Sequence, residues 1–313
     1  EFYDFSLFDK RKLKGFGKKI SIYSLNERKD KIELYSGNFV GREEELKKLN
    51  EAVSPIFEGK NGGVTYIEGA AGIGKSRLIN HFRSSYLKET FNYLYFPCDE
   101  IIKTGFYSIS YGLKNYFNCS DNAENRMENF ERAFKGFIEL INDNDKRKEI
   151  LRLKSFYLHL CGLDTKDTLY DQLKPKDRHN NLKIAFKEFV RILSSDKPLL
   201  MEFEDIQFID PDTEEVIKNL FINTENIPFA IIASARIKSK EEPFFLNNIK
   251  GDVIFLEKIS KSACKEFISS LMEGEISNGF LNKIYNKSNG NPFYTEQLVM
   301  YLLENSMVMV EDG

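Results

Sequence analysis

The sequence predicts an α/β chain in which a parallel sheet flanked by helices is followed by a small helical domain. Three observations carry this. Short apolar runs of strand length alternate with stretches of helical period, and a glycine-rich loop stands directly between a strand and a helix. From Ser260 onward the pattern is wholly helical. Strands that alternate with helices pair in parallel, because each crossover helix returns the chain to the same end of the sheet.

The elements follow in order. Residues 12–25 read as a glycine turn and a short strand with Ile20, Ile22 and Leu25 apolar, followed by a charged linker from Asn26 to Lys31. Phe39-Val40-Gly41-Arg42-Glu43 leads into a helix that places Leu46, Leu49 and Val53 on one face. Residues 63–68 form a strand, and the helix after the glycine loop runs from Lys75 to Leu87, with Leu78, Ile79 and Phe82 spaced for burial. Tyr93-Leu94-Tyr95-Phe96 is a second strand. Residues 107–195 are helical by period, rich in Phe and Tyr, and carry no motif. Leu199-Leu200-Met201-Glu202-Phe203 is a third strand ending on Glu204-Asp205; residues 228–234 form a fourth that ends at Arg236, and residues 253–256 a fifth. Helices are expected over about 261–272, 277–288 and 292–305.

Composition narrows the function classes. A hydrophobic share of 42% and a charged share of 30% are ordinary for a globular domain, and 313 residues suffice for two. Net charge is −3 and no basic stripe is present, which weighs against nucleic acid and anionic membranes as partners. No apolar run approaches the ~20 residues that span a bilayer. Cys98, Cys119, Cys161 and Cys264 are far apart in sequence, without a C-x-x-C pair, so reduced thiols in a cytoplasmic setting are expected. His81, His159 and His179 show no spacing to carboxylates or cysteines that would mark a zinc site or a triad, and Lys146-Arg147-Lys148 is interleaved with acids as on a solvated helix face. Both chain ends look cut.

The chemistry sits in Gly69-Ala70-Ala71-Gly72-Ile73-Gly74-Lys75-Ser76. The G-x-x-x-x-G-K-[ST] spacing lets a glycine-rich backbone wrap a phosphate at the positive end of the helix that follows. Lys75 supplies a cation for the β- and γ-phosphates, and the Ser76 hydroxyl is a hard oxygen ligand for Mg²⁺. ATP with Mg²⁺ is therefore the expected cofactor pair. A P-loop needs a second acidic site at a neighbouring strand tip to hold the metal and orient water, and Glu204 and Asp205 occupy such a tip. Glu202 shares a strand face with Glu204, so which of the three acids stands by the metal is open; Glu204 is taken as the metal-side acid beside Ser76. Asp210 before Pro211 reads as a helix cap. Arg236 ends the fourth strand at the carboxyl rim where ligands of open α/β sheets bind, placed to sense a γ-phosphate. Asn286-Lys287-Ser288-Asn289 lacks the acid that reads guanine, so ATP is expected over GTP.

Together, Phe39-Val40-Gly41-Arg42-Glu43, the P-loop, Glu204-Asp205-Ile206-Gln207-Phe208-Ile209-Asp210-Pro211 and Ser288-Asn289-Gly290-Asn291-Pro292-Phe293 resemble the AAA-type module of the signal-transduction (STAND) P-loop NTPases. The resemblance covers residues 37–306. It implies adenine-side contacts at Val40, Gly41 and Arg42, and a helical lid whose turn at Gly290 and Pro292 closes over the nucleotide. This sequence has Phe208 where the family usually carries Trp, and Glu202 interrupts the apolar strand before the acids. Residues 13–17 and 20–23 are similar to the last strand of a class III nucleotide cyclase domain, and residues 307–313 to the start of a winged-helix strand pair. The implied division is a cyclase-like tail and linker at 1–30, a P-loop ATPase core at 37–258 with a helical insertion near 107–195, a lid at 259–306, and a truncated following domain at 307–313. The expected activity is a slow ATPase acting as a regulatory switch, coupled to other domains of the chain and to nucleotide-dependent self-association. A non-hydrolysing scaffold and a DNA-associated ATPase of the same type are the alternatives.

Overall fold

The computed structural model describes residues 3–11, 19–28, 36–236, 243–246 and 249–308. The chain divides into two compact units: Arg42–Glu257, and Glu1–Gly41 with Lys258–Gly313.

The larger unit is built on a five-stranded parallel sheet. Its strands are β3 (Gly63–Gly69), β4 (Asn92–Pro97), β5 (Leu199–Glu204), β6 (Phe229–Arg236) and β7 (Asp252–Leu256), in the spatial order β4-β5-β6-β3-β7. Every residue of β6 but the last is buried, as expected of a strand covered on both faces. Parallel pairing aligns the carboxyl ends: Gly69 registers with Arg236, and Pro97 with Glu204. The glycine loop, the acids and Arg236 therefore emerge at one edge of the sheet.

Helix α1 (Glu43–Val53) leads into β3, while α2 (Lys75–His81) and α8 (Pro211–Leu220) connect strands of the sheet, and α1 buries Leu46, Leu49 and Val53 as the spacing predicts. The helix expected over residues 75–87 is helical through Tyr86, but only Lys75–His81 is α-helix. After His81 the chain widens into a π-turn over Phe82–Tyr86 and leaves extended at Leu87. Ser84 Oγ donates to the Asn80 carbonyl at 2.7 Å, a local bond that competes with the helical ladder.

Between β4 and β5 stand α3 (Tyr107–Tyr116), α4 (Arg126–Glu139), α5 (Asn144–Leu160), α6 (Leu169–Gln172) and α7 (Pro175–Asp196). Their aromatic residues explain the insertion's composition. Phe117 is fully buried with Phe130, Phe137, Tyr157 and Phe189 around it, at centroid distances of 4.9 to 6.1 Å. This cluster is continuous with the sheet core through Phe186, which meets Phe96 edge-on, while Phe96 stacks on Phe203 at 4.7 Å.

Cys119 and Cys161, distant in sequence, are neighbours here. Both thiols are free and buried, and one Arg126 guanidinium donates to both backbone carbonyls at 3.0 and 2.7 Å.

In the smaller unit, β1 (Tyr3–Arg11) and β2 (Ile20–Arg28) form an antiparallel hairpin. The expected strand near residues 20–25 is part of β2, whereas β1 is an addition to the sequence reading. Its pairing register with β2 shifts between Asp4 and Phe5 and again between Leu7 and Asp9. Residues 12–18, within the cyclase-like stretch, and 309–313, within the expected winged-helix start, lie outside the described residues, as do linker residues 29–31. Helices α9 (Lys261–Met272), α10 (Asn278–Ser288) and α11 (Pro292–Glu304) enclose a separate core of Ile259, Cys264, Phe267, Ile268, Leu281, Ile284 and Val299, to which Val40 belongs.

Candidate functional site

The loop from β3 to α2 has the backbone that a phosphate cradle needs. Gly72 and Gly74 adopt φ +73° and +100°, a region that glycine enters without steric cost, and Ala70, Ala71 and Gly72 are exposed. A Cβ at Gly74 would meet nothing within 4 Å, so left-handed backbone rather than crowding requires glycine there. Gly69 is different: a Cβ would lie 2.7 Å from Ile73 Cγ2 and 3.0 Å from the Leu256 carbonyl. The loop is pinned from beneath by buried Ile73 and by Arg42.

Arg42 is itself buried. Its Nη2 donates to the carbonyls of Ile73 at 3.3 Å and Glu257 at 2.6 Å, and its Nη1 to Glu45 Oε1 at 2.8 Å. The side chain is thus committed to the loop backbone and to the end of β7, which leaves the Arg42 backbone for any contact with a base.

Lys75 curls onto its own loop. Its Nζ donates to the carbonyls of Gly69 at 3.0 Å and Ala70 at 3.1 Å. Burial lowers the Lys75 pKa, while Asp205 and Glu204 act in the opposite direction and Arg236 adds to the lowering. A bound polyphosphate would favour the charged ammonium in the same place.

At the end of β5 the three acids take different positions. Glu202 is 2% exposed and accepts from the Tyr93 hydroxyl, whose own pKa is raised by burial and by Glu202. Two residues on, Glu204 accepts from the Tyr95 hydroxyl and, through Oε1, from Ser76 Oγ at 2.6 Å. The period-two spacing of β4 and β5 thus sets two Tyr–Glu pairs side by side, and Glu204 is the one that reaches the P-loop helix. Asp205 turns the chain at φ +53°, a conformation that Asp tolerates better than most residues. Its N–H donates to buried Ser234 Oγ at 3.1 Å, and its Oδ1 accepts from Gln207 Nε2 at 3.0 Å. Arg236 is exposed, with Nε 3.9 Å from Asp205 Oδ1 and its guanidinium 5.7 Å from the Phe208 ring centroid.

Ser76 and Glu204 together present hard oxygen donors of the kind Mg²⁺ takes, beside a loop shaped for phosphate. The residues fit the pair. Among the described residues, no group of three His, Cys, Asp or Glu side chains is placed to hold a metal ion.

Asp210 caps α8 through Thr213, as expected, and also accepts from the Phe106 N–H at 2.9 Å, a tie to the insertion that sequence reasoning missed. Tyr95, Gln207 and Ser234 were missed as well. Ser234 was detectable as an isolated hydroxyl in an apolar strand, and Tyr95 as one of two tyrosines spaced by two in β4.

In the smaller unit, Gly41 adopts φ +61°, and a Cβ there would lie 2.7 Å from Ala263 Cβ. Gly290 adopts φ +68° and its carbonyl accepts from Ile259 N–H at 3.0 Å. Asn289 ends α10 in the left-handed region, and Asn291 caps α11 with Pro292 in its first turn. The Gly-Asn-Pro motif is thus a helix–helix turn in which each residue type has a backbone reason.

Residues 38–232 match the family described as AAA ATPase domain. The chain belongs to that family. This AAA ATPase chain is also similar to an uncharacterized protein of Rhizobium meliloti (strain 1021), 22% identical over 241 residues that make up 75% of the chain and 22% of the relative. The chain therefore spans about a fifth of the length of that curated relative.

Among solved structures it is similar to a Signal Transduction ATPase with Numerous Domains (STAND) protein with a tetratricopeptide repeat sensor from Pyrococcus horikoshii. Identity is 14%, coverage is 89% of this chain and 32% of that one, and the TM-score is 0.44. It is likewise similar to the Aeropyrum pernix ORC1 protein in complex with DNA, at 11% identity, 87% and 61% coverage and a TM-score of 0.47. RuvB of Thermotoga maritima matches at 14% identity, 86% and 65% coverage and a TM-score of 0.45. Among the described residues, no helix is long and apolar enough to cross a membrane.

Proposed function

We propose that this nucleotide-binding AAA ATPase domain is an ATP-binding regulatory switch that hydrolyses ATP slowly with Mg²⁺. The contact between Ser76 and Glu204 is the observation that carries the reading, because it joins the phosphate loop to the acidic strand end where such chemistry needs them joined.

Lys75 binds the phosphates, and Ser76 and Glu204 hold the metal, which supplies charge neutralisation at the phosphates when bound. Asp205 orients the attacking water and accepts its proton, and Arg236 senses the γ-phosphate. Val40, Gly41, Gly290 and Pro292 are proposed as the nucleotide contacts of the smaller unit, alongside the backbone of Arg42. The ATP- and ADP-bound forms differ in conformation, and that difference is the signal passed to other domains of a longer cytoplasmic chain and to self-association. Pairing with a cyclase domain rests only on the resemblance of residues 13–17 and 20–23.

The divided-role picture has a direct test in calorimetry with Mg²⁺ present. Wild type binds ATP in preference to GTP, and Lys75→Ala loses most of that affinity while keeping its melting temperature. Equal ATP affinity in the two proteins, or displacement of ATP by equimolar GTP, contradicts the assignment.

A further inference from the structure

Backbone pairing between β5 and β6 ends at Phe203 and Ala233, before the residues that would act on nucleotide. Beyond that point side chains take over the ladder's work. Ser234 Oγ accepts from the Asp205 N–H, and Gln207 Oε1 accepts from the Arg236 N–H at 3.1 Å. The same Gln207 amide donates through Nε2 to Asp205 Oδ1 at 3.0 Å. One side chain therefore grips the acid at the end of β5 and the strand end that carries the arginine.

The grip is itself rigid. Gln207 lies in a 3-10 turn, Ile206–Phe208, anchored by fully buried Ile206 and closed by the Phe208 N–H on the Asp205 carbonyl at 2.9 Å. Phe208 lies beneath the Arg236 guanidinium, so consecutive residues of this turn hold the arginine's backbone and its charged head. The Asp205 carboxylate meets both Gln207 and Arg236 through Oδ1, and the contact to Arg236 is 3.9 Å, longer than a hydrogen bond. An unrestrained carboxylate that near a guanidinium would rotate into a direct bidentate pair and take both groups out of use.

We infer that Gln207 is a positioning residue for ATP hydrolysis: it holds the Asp205 carboxylate in its working orientation and short of a direct hydrogen-bonded pair with Arg236. The inference rests on the hydrolytic reading above. Gln207 acts through Asp205 and Arg236 and is not placed on the nucleotide, so its removal lowers the chemical rate and spares binding.

Two variants separate its two bonds. Gln207→Glu keeps an acceptor for the Arg236 N–H but replaces the donor to Asp205 with a repelling carboxylate, and Gln207→Met removes both bonds at similar volume. Single-turnover hydrolysis of Mg-ATP is measured for each alongside ATP affinity and melting temperature. Both variants are expected to lose roughly 10- to 100-fold in rate, the range corresponding to one hydrogen bond to a charged group. ATP affinity should stay within threefold of wild type, with unchanged melting. Rates within twofold of wild type overturn the inference alone. So does a rate loss accompanied by a matching loss of affinity or stability, which marks a structural role. Absence of turnover in wild type overturns the hydrolytic reading and this inference with it.

Discussion

Ser76 Oγ donates a 2.6 Å hydrogen bond to Glu204 Oε1, so the first turn of α2 and the last residue of β5 share one proton-bearing contact. A hydroxyl and a carboxylate held this way form two adjacent oxygen sites, and a divalent cation can replace the proton's role between them. Glu204→Gln keeps the shape and removes the charge. It is expected to weaken ATP binding in Mg²⁺ by roughly tenfold, as for the loss of one charge-assisted contact, and to leave binding in EDTA unchanged. Ser76→Ala should act in the same direction. Titration of ATP with and without Mg²⁺ measures both, and an equal loss in the two conditions would remove Glu204 from the metal site.

Arg42 reads in sequence as part of an adenine-side motif, yet its side chain is buried and ties Glu45, the Ile73 carbonyl and the Glu257 carbonyl together. Removing it strands one buried carbonyl, one partly buried carbonyl and a partly buried carboxylate. Arg42→Ala should cost about 2–4 kcal/mol, at about 2–4 °C of melting temperature per kcal/mol. Arg42→Lys should recover only part, because one ammonium cannot serve three acceptors in the guanidinium's fork. Thermal melts without nucleotide give the answer, and an unchanged Arg42→Ala melt would make this clasp energetically idle.

Glu68 precedes the glycine loop, is fully buried, and accepts from the Phe244 N–H at 2.6 Å through one oxygen, while Oε2 has no partner among the described residues. Burial raises its pKa above the ordinary carboxylate value, and the Phe244 N–H offsets part of that rise. A folded-state pKa above the unfolded one means that the folded chain binds more protons between the two values. Its contribution to stability is complete below the unfolded pKa and is lost as pH rises through the folded one. Glu68→Gln keeps an acceptor for Phe244 without the charge, so it should stabilise the protein at pH 8 and change little at pH 4.5. Melting temperatures across that range test the sign, and a variant destabilised at pH 8 would show that the carboxylate is needed ionised.

Much of the α/β core was legible because parallel strands buried on both faces are short apolar runs, and each starts or stops beside a Gly, Pro or charged residue. The P-loop was legible for a stronger reason, since its spacing is dictated by phosphate geometry. The hairpin's first strand was not, because Phe8 directly after Leu7 interrupts its short apolar alternation. Sequence took Glu204 as the metal-side acid but left open whether Glu202 or Asp205 stands there instead. The distinction between them lies in β4, where Tyr93 takes Glu202 and Tyr95 shares Glu204 with Ser76, a cross-strand relation that no local pattern contains. Gln207 was hidden for the same reason: its partners come from two strand ends.

In the proposed hydrolysis, Asp205 is the residue that makes bound ATP reactive. A positioned proton acceptor contributes on the order of 10²–10⁴-fold to rate and little to ground-state binding. Single-turnover hydrolysis of Mg-ATP by wild type and by Asp205→Asn, with ATP affinity measured in parallel, tests this most directly. Slow conversion to ADP by wild type, and at least a hundredfold slower conversion by Asp205→Asn at matched affinity, is the predicted result. Wild type that returns its ATP intact, or an Asp205→Asn variant that hydrolyses at the wild-type rate, would contradict it.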